Sequence, residues 1–159
     1  MEALVHSDCD GDMFENEKIG HIIRMLHVAF KQRFIVCGTA EGLDEVTMMH
    51  GWIMVYLYGC RGTEVYQKTI ETQFNISRST VTAIVQLMEK KGYISREAVE
   101  GDARLKKIVL TRQGTEIAVK TKAMLDRLDR DLMENISNEE RETFCEVSQK
   151  LIRNMERCT

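Results

Sequence analysis

Apolar residues recur along most of the chain at the spacing of an α-helix, and this pattern predicts a mainly helical protein. A first helix is expected over residues 17–36. Its apolar positions are Ile19, Ile22, Ile23, Leu26 and Phe30. Gly38 and Gly42 follow and are expected to end it. The next helix, over residues 44–58, is apolar on most sides, so we expect it to be buried on most sides.

Two further helices are predicted in the last third of the chain. Thr111 is a suitable N-cap for a long helix that ends near residue 134, because its hydroxyl can accept hydrogen bonds from free amides of the first turn. Ser137 and Glu140 have the spacing of a capping box, so a last helix is expected to begin there. The apolar stripes of these helices are Ile117, Met124, Leu128 and Leu132, and then Phe144, Val147, Leu151 and Met155.

The middle of the chain carries the pattern of a helix-turn-helix motif. A short helix is predicted over residues 65–74, and Ser77 is a suitable N-cap for a second helix after a tight turn. The apolar face of the second helix consists of Val81, Ile84, Val85 and Met88. Its opposite face carries Arg78, Ser79, Thr82, Gln86 and Lys90. Such side chains bind base edges and phosphates in a major groove, although a merely solvated face is the commoner role of an amphipathic helix.

Two strand-like segments follow, at residues 93–96 and 106–110, and Gly101 marks a turn between them. A hairpin in this position is a wing, so residues 63–114 are predicted to form a winged helix-turn-helix module. Arg104 lies near the tip of the wing, where it is free to reach a minor groove or a phosphate. Asp102 is expected to hold this guanidinium through a charge-assisted hydrogen bond.

Several of these segments, in this order, resemble the MarR family of winged-helix transcriptional regulators. They are residues 76–94, Asp102-Ala103-Arg104, Leu110-Thr111-x-x-Gly114 and, more weakly, Thr47-x-x-His50-Gly51-Trp52. Two positions depart from the family pattern, since Glu71 stands where many members carry a small residue and His50 replaces the commoner Gln. The resemblance implies a mainly α fold with a small β-hairpin wing and a helical dimerisation region.

The resemblance also implies a function, which is sequence-specific binding of a pseudo-palindromic operator in double-stranded DNA by a homodimeric regulator. A repressor that a small-molecule effector releases from DNA is expected. The expected DNA-binding residues are Ser77, Arg78, Ser79, Thr80, Thr82, Gln86, Asp102 and Arg104. Proteins of this family bind small aromatic or anionic effectors near the junction of the dimer helices and the winged module. The residues expected there are Arg24, His50, Trp52 and Tyr56. Core packing is the simpler role for the two aromatic side chains.

The charge of the chain is unevenly distributed. Residues 64–112 contain nine Lys and Arg and six Asp and Glu, a net charge of +3, whereas the whole chain carries −3 and the remainder therefore −6. A positive module on an acidic body orients a protein on DNA, because only one of its surfaces is attracted to phosphate.

The helices outside the winged module each carry an apolar stripe that must be covered. We therefore predict a single domain over residues 17–159, with dimerisation helices at residues 17–36 and 115–159, preceded by a flexible arm at residues 1–16. Pairing of two subunits also spaces two recognition helices for successive half-sites. The alternative is a monomer in which these helices cover one another.

Other classes of function have little support in the sequence. No segment approaches the ~20 apolar residues of a membrane span, and the N-terminus lacks the features of a signal peptide, so a cytoplasmic protein is expected. The sequence contains no phosphate loop, nucleophile motif or Cys/His cluster. We therefore expect that the chain is not an enzyme and that it binds no cofactor or metal. The five cysteines are expected to be free thiols. The alternative function is a winged-helix module for protein–protein contact, which the cations of the second helix and the wing disfavour.

Overall fold

The computed structural model of this chain describes residues 18–43, 47–99 and 101–157, apart from the side chains of residues 102–104. These segments form six helices and a two-stranded antiparallel sheet. In chain order the elements are α1 (Ile19–Ala40), α2 (Met48–Gly59), α3 (Gln67–Phe74), α4 (Arg78–Lys90), β1 (Ile94–Val99), β2 (Asp102–Leu110), α5 (Arg112–Leu132) and α6 (Asn138–Glu156). The predicted mainly α fold with a β-hairpin wing is confirmed, while the predicted arm at residues 1–16 lies outside the described residues.

Side-chain caps begin three of these helices where the sequence predicts them. Ser77, Thr111 and Ser137 precede α4, α5 and α6, and each hydroxyl accepts a hydrogen bond of 3.0–3.2 Å from the backbone amide three residues later. At α6 the Glu140 carboxylate also accepts from the Ser137 amide at 2.8 Å, which completes the capping box. Each cap satisfies amides that have no partner within the helix.

Two helix boundaries differ from the sequence-based expectation. Helix α1 continues beyond residue 36 to Ala40, and Gly38 lies inside it, buried and close to Leu43. The chain turns instead at Gly42, whose φ of +69° is a left-handed conformation that glycine adopts without a steric penalty. Helix α2 begins at Met48 rather than near residue 44, and Thr47 is its N-cap. A single glycine in a helix costs only roughly 0.5–1 kcal/mol, which packing can offset.

The third difference arises from the wing. Helix α3 begins at Gln67 rather than at residue 65, because the preceding residues are extended and pair with the wing. The amide of Ile108 donates to the Val65 carbonyl at 2.8 Å, and Tyr66 forms a bridge with Lys107. The wing is also longer than predicted. Its strands β1 and β2 are paired from Ile94 and Leu110, at the base, to the turn at Gly101. The base of the wing is thereby tied to the segment that precedes α3.

The core of the subunit lies between α2, α5 and the winged module. The fully buried apolar residues with the largest side chains are Ile53, Met54, Ile70, Val81, Val85, Met88 and Met124. Helix α2 contributes to this core from several sides, as its apolar composition predicts. Gly114 lies against Tyr93, the residue directly before β1, since a Cβ atom at this position would be 1.9 Å from the Tyr93 carbonyl oxygen. The start of α5 is therefore packed directly on the strand entry of the wing.

The first half of α1 and all of α6 are not covered within the subunit. No residue of α6 is buried, and its Phe144 and Met155 side chains are 61% and 73% exposed. On α1, Ile19 and Ile23 are about half exposed. The predicted apolar stripes of these helices are therefore present but open to solvent in an isolated subunit.

None of the helices in the described ranges is both long enough and apolar enough to cross a bilayer. Cys37, Cys60 and Cys145 are free thiols, and the two other cysteines, Cys9 and Cys158, lie outside the described residues.

Candidate nucleic-acid interface

Helix α4 separates a buried apolar face from an exposed polar face. Val81, Val85 and Met88 are at most 1% exposed and anchor the helix to the core. The opposite face opens onto a shallow surface groove. The residues that line this groove are Ser77, Arg78, Ser79, Thr82, Ala83 and Gln86. Five of these six residues are among the predicted DNA-binding positions, so the structure brings them together on one surface.

Ala83 is the member of this groove that the sequence analysis did not select. It is exposed and lies between Ser79 and Gln86 on the same helix face. A methyl group on such a surface can contact the methyl group of thymine. Its spacing of four residues from Ser79 places it on this face, but a methyl group lacks the hydrogen-bonding capacity that marks the other positions.

Hydroxyl groups cluster at the N-terminus of α4. The Ser77 hydroxyl lies 2.9 Å from that of Ser79 and 2.8 Å from that of Thr80, and all three side chains are exposed. The free amides and positive dipole end of a helix favour an anion at this point. The cluster, which includes the predicted DNA-binding residue Thr80, is therefore suited to a backbone phosphate.

Thr82 has a structural role that the sequence did not indicate. Its hydroxyl accepts a hydrogen bond from Gln67 Nε2 at 2.5 Å and donates one to the Arg78 carbonyl oxygen at 2.8 Å. Because its single proton is already used, Thr82 can only accept from a base. The contact with Gln67 joins α3 to α4 near the N-terminal end of the predicted recognition helix.

A second contact joins α4 to the wing at the other end of the helix. Arg96 on β1 donates to Glu89 Oε2 from Nε at 3.0 Å and from Nη2 at 2.5 Å. The hydrogen bond and the positive charge of Arg96 hold the pKa of Glu89 below its usual range, and the same partner raises the pKa of Arg96. Both groups are therefore charged at neutral pH.

A cleft of about 700 Å³ lies between the wing and helices α3 and α4. Four of the residues that line it are cationic, namely Lys68, Arg78, Arg96 and Lys106. Only Arg78 belongs to the predicted site, so sequence reasoning missed the other three. The backbone of Asp102 and Arg104 lies at the start of β2. Their side chains are not among those described, so the predicted contact between them stays a prediction.

The residues predicted for an effector pocket have several different environments. Arg24 is exposed on α1, whereas the rings of Trp52 and Tyr56 pack within the subunit. Trp52 lies 6.4 Å from Phe30, and Tyr56 makes an edge-to-face contact with Phe74 at 5.6 Å between ring centroids. These contacts give both aromatic residues of the predicted pocket a packing role.

His50 is buried, and its Nδ1 has no hydrogen-bond partner within the described part of the chain. Burial lowers the pKa of this imidazole, and the charge of Lys91 lowers it further. The ring is therefore neutral near pH 7. The other departure from the family pattern, Glu71, is half-buried and pairs with Lys68 at 3.3 Å, so it is accommodated without disturbing α3.

The similarities to known proteins agree with the winged helix-turn-helix fold. Residues 45–105 match the model of the MarR family. The chain is 29% identical over 92 residues to an uncharacterised HTH-type transcriptional regulator of Bacillus subtilis (strain 168), YdgJ, with 58% of this chain and 56% of that protein covered. It is 31% identical over 83 residues to the HTH-type transcriptional regulator PapX of Escherichia coli, with 52% and 51% covered. The chain thus matches about half the length of each of these two relatives.

The fold is similar to that of Staphylococcus aureus MepR in a crystal structure of its complex with DNA. The TM-score is 0.79 at 22% sequence identity, and the match covers 87% of this chain and 99% of that one. The relatives are transcriptional regulators rather than enzymes, in agreement with the prediction that this chain is not an enzyme. Residues 45–105 are thus similar to the MarR family, and the winged helix-turn-helix fold of the described residues agrees with that similarity.

Proposed function

We propose that this chain is a homodimeric transcriptional regulator that binds a pseudo-palindromic site in double-stranded DNA and represses transcription until a small-molecule effector releases it. The observation that carries the proposal is the exposed polar face of α4, which stands over a buried apolar face and beside a wing. A helix of this kind enters a major groove in helix-turn-helix proteins. The similarity to MepR, whose structure was determined with DNA, supports the same orientation.

The residues of the proposed interface divide into groups with different roles. Arg78 and Gln86 carry the groups that form paired hydrogen bonds with guanine and adenine edges in the major groove. Ser77, Ser79 and Thr80 bind a phosphate at the helix N-terminus. In the wing, Arg104 enters the flanking minor groove and Asp102 orients it. On α4, Thr82 accepts a hydrogen bond from a base near the N-terminal end of the helix.

The proposal of a homodimer rests on the helices that the subunit leaves uncovered. A helix of 19 residues with no buried side chain gains little stability from its own subunit, because helices in proteins are stabilised mainly by packing of an apolar face. Pairing of α1 and the C-terminal helices with those of a second subunit covers both stripes. It also places two copies of α4 about 34–36 Å apart, the spacing of successive major grooves.

Release by an effector would follow from a shift between two arrangements of the dimer. An effector that binds better to the arrangement with mismatched half-site spacing lowers the affinity for DNA. We propose that it binds near Arg24, His50, Trp52 and Tyr56, which lie on α1 and α2. The unpaired Nδ1 of buried His50 supports this choice, because a buried polar atom without a partner is costly unless something binds it.

Selection of bound duplexes from a random-sequence library tests the DNA-binding function. The expected result is an inverted repeat whose half-sites are centred about one helical turn apart. Arg78→Ala should weaken binding of the selected duplex by roughly 1–3 kcal/mol and relax the preference at one position in each half-site. Lys150→Ala, on α6, is the control for removal of an exposed cation elsewhere. If the wild-type protein binds no duplex at low salt, the proposal is wrong and a protein-binding module takes its place.

A further inference from the structure

The cationic cleft between the wing and helices α3 and α4 is continuous with the proposed base-contacting face. Arg78 lines both the cleft and the shallow groove along α4. When a helix lies in a major groove and a wing enters the flanking minor groove, one strand of the sugar–phosphate backbone passes between them. The cleft is therefore the part of this surface that faces the backbone.

Arg96 is held in this cleft by one edge of its guanidinium group. Two of its five N–H groups, one on Nε and one on Nη2, bind the same oxygen of Glu89. Its Nη1 has no hydrogen-bond partner among the residues that the structure describes. A planar guanidinium fixed along one edge presents its remaining donors in a defined direction, which is the geometry that suits a phosphate.

We propose that Arg96 binds a backbone phosphate of the operator in this cleft, and that Glu89 is the positioning residue that directs its guanidinium. The inference rests on the proposed DNA-binding function and adds to it a contact on β1 and a role for the C-terminal end of α4. It also links the angle of the wing to that of the recognition helix, since one ion pair joins the two.

The opposing interpretation is that the ion pair only braces the wing. The two interpretations predict changes of opposite sign when Glu89 is replaced. Removal of a negative charge beside DNA should by itself strengthen binding, because phosphate repels a carboxylate. If Glu89 positions Arg96, its removal should instead weaken binding, since the guanidinium becomes free to rotate away from the phosphate.

The experiment measures binding of the full-length protein to a labelled duplex, selected by the wild type from a random library, over a range of salt concentrations. Arg96→Ala should weaken binding about tenfold and reduce the salt slope by about 1. Glu89→Ala should weaken binding several-fold, and Glu89→Gln, which keeps an oxygen acceptor, should fall between it and the wild type. Glu116→Ala removes a carboxylate from a comparable exposed pair with Arg112, at 3.1 Å on α5, and should not weaken binding.

Neutralising single phosphates as methylphosphonates separates a direct contact from an effect on folding. At one position in each half-site the substitution should lower the DNA affinity of the wild type. It should not lower further the DNA affinity of Arg96→Ala. Arg96→Lys, which keeps the charge but not the fork, gives the same comparison if the alanine variant unfolds.

Two results would overturn the inference while leaving the proposed function intact. One is an unchanged salt slope for Arg96→Ala, and the other is tighter binding by Glu89→Ala and Glu89→Gln than by the wild type. Failure of the wild type to bind any duplex is a different outcome, because it removes the proposed function itself.

Discussion

Gly114 owes its identity to a contact with a residue that is distant in sequence. The position that its Cβ would occupy lies 1.9 Å from the carbonyl oxygen of Tyr93 and 3.2 Å from the side chain of Leu110. The first of these neighbours is backbone and cannot rotate away. The close approach lets the amide of Thr111 donate to the Tyr93 carbonyl at 3.1 Å, so α5 begins directly on the base of the wing.

Replacement of Gly114 by alanine should destabilise the protein by roughly 1–3 kcal/mol, the range for overpacking in a well-packed interior. Denaturant unfolding at constant protein concentration measures the change. Gly59→Ala, at the end of α2, is the matched control, because nothing lies within 4 Å of its added Cβ. If Gly114→Ala is as stable as Gly59→Ala, the backbone at Tyr93 can move away from the added methyl group without a cost in stability, which would contradict the prediction.

At the scale of the element, α4 is fixed at both ends by side chains of its neighbours. Gln67 of α3 holds Thr82, and Arg96 of β1 holds Glu89. The Ser77 hydroxyl additionally caps the helix by accepting a hydrogen bond from the Thr80 amide. Helix α4 is therefore fixed by its neighbours as well as by the buried stripe beneath it.

The cap of α4 should serve both stability and DNA binding, whereas the same type of cap on α6 should serve stability alone. Ser77→Ala and Ser137→Ala should each cost about 1 kcal/mol of unfolding free energy, the usual value for loss of a hydroxyl cap. Only Ser77→Ala should also weaken DNA binding, measured at protein concentrations well above dimer dissociation. Equal DNA affinities for the two variants would contradict a phosphate contact at the start of α4.

The elements that the sequence predicted well are those governed by local chemistry. Caps at Ser77, Thr111 and Ser137 use residues three apart, so their spacing is visible in the sequence. The start of α3 depended instead on pairing of Val65 with β2, some forty residues away, and the end of α1 on packing of Gly38 against Leu43. The contact of Arg96 with Glu89 links a helix to a strand, so no periodicity within one element reveals it.

At the scale of the molecule, the uncovered stripes of α1 and α6 determine the proposed assembly. Phe144→Asp places a charge in the stripe of α6 and should shift the dimer to monomer, because an unpaired charge within an apolar interface is costly. Light scattering coupled to size-exclusion chromatography measures the molecular mass. The affinity for DNA should decrease when the mass falls to that of a monomer. Gln149→Asp, on the polar side of the same helix, is the control, and a Phe144 variant that remains dimeric would contradict the proposed interface.

The absence of any buried residue in α6 has a consequence for how such a protein behaves in a cell. If only a second copy secures this helix, folding of the C-terminal segment and self-association form one equilibrium, so thermal stability rises with the amount of protein present. A chain diluted below its dissociation constant would then lose an ordered terminus together with its second DNA-contacting half. When the gene dosage changes, the occupancy of a promoter would therefore change by a larger factor than the dosage itself, even in the absence of any effector.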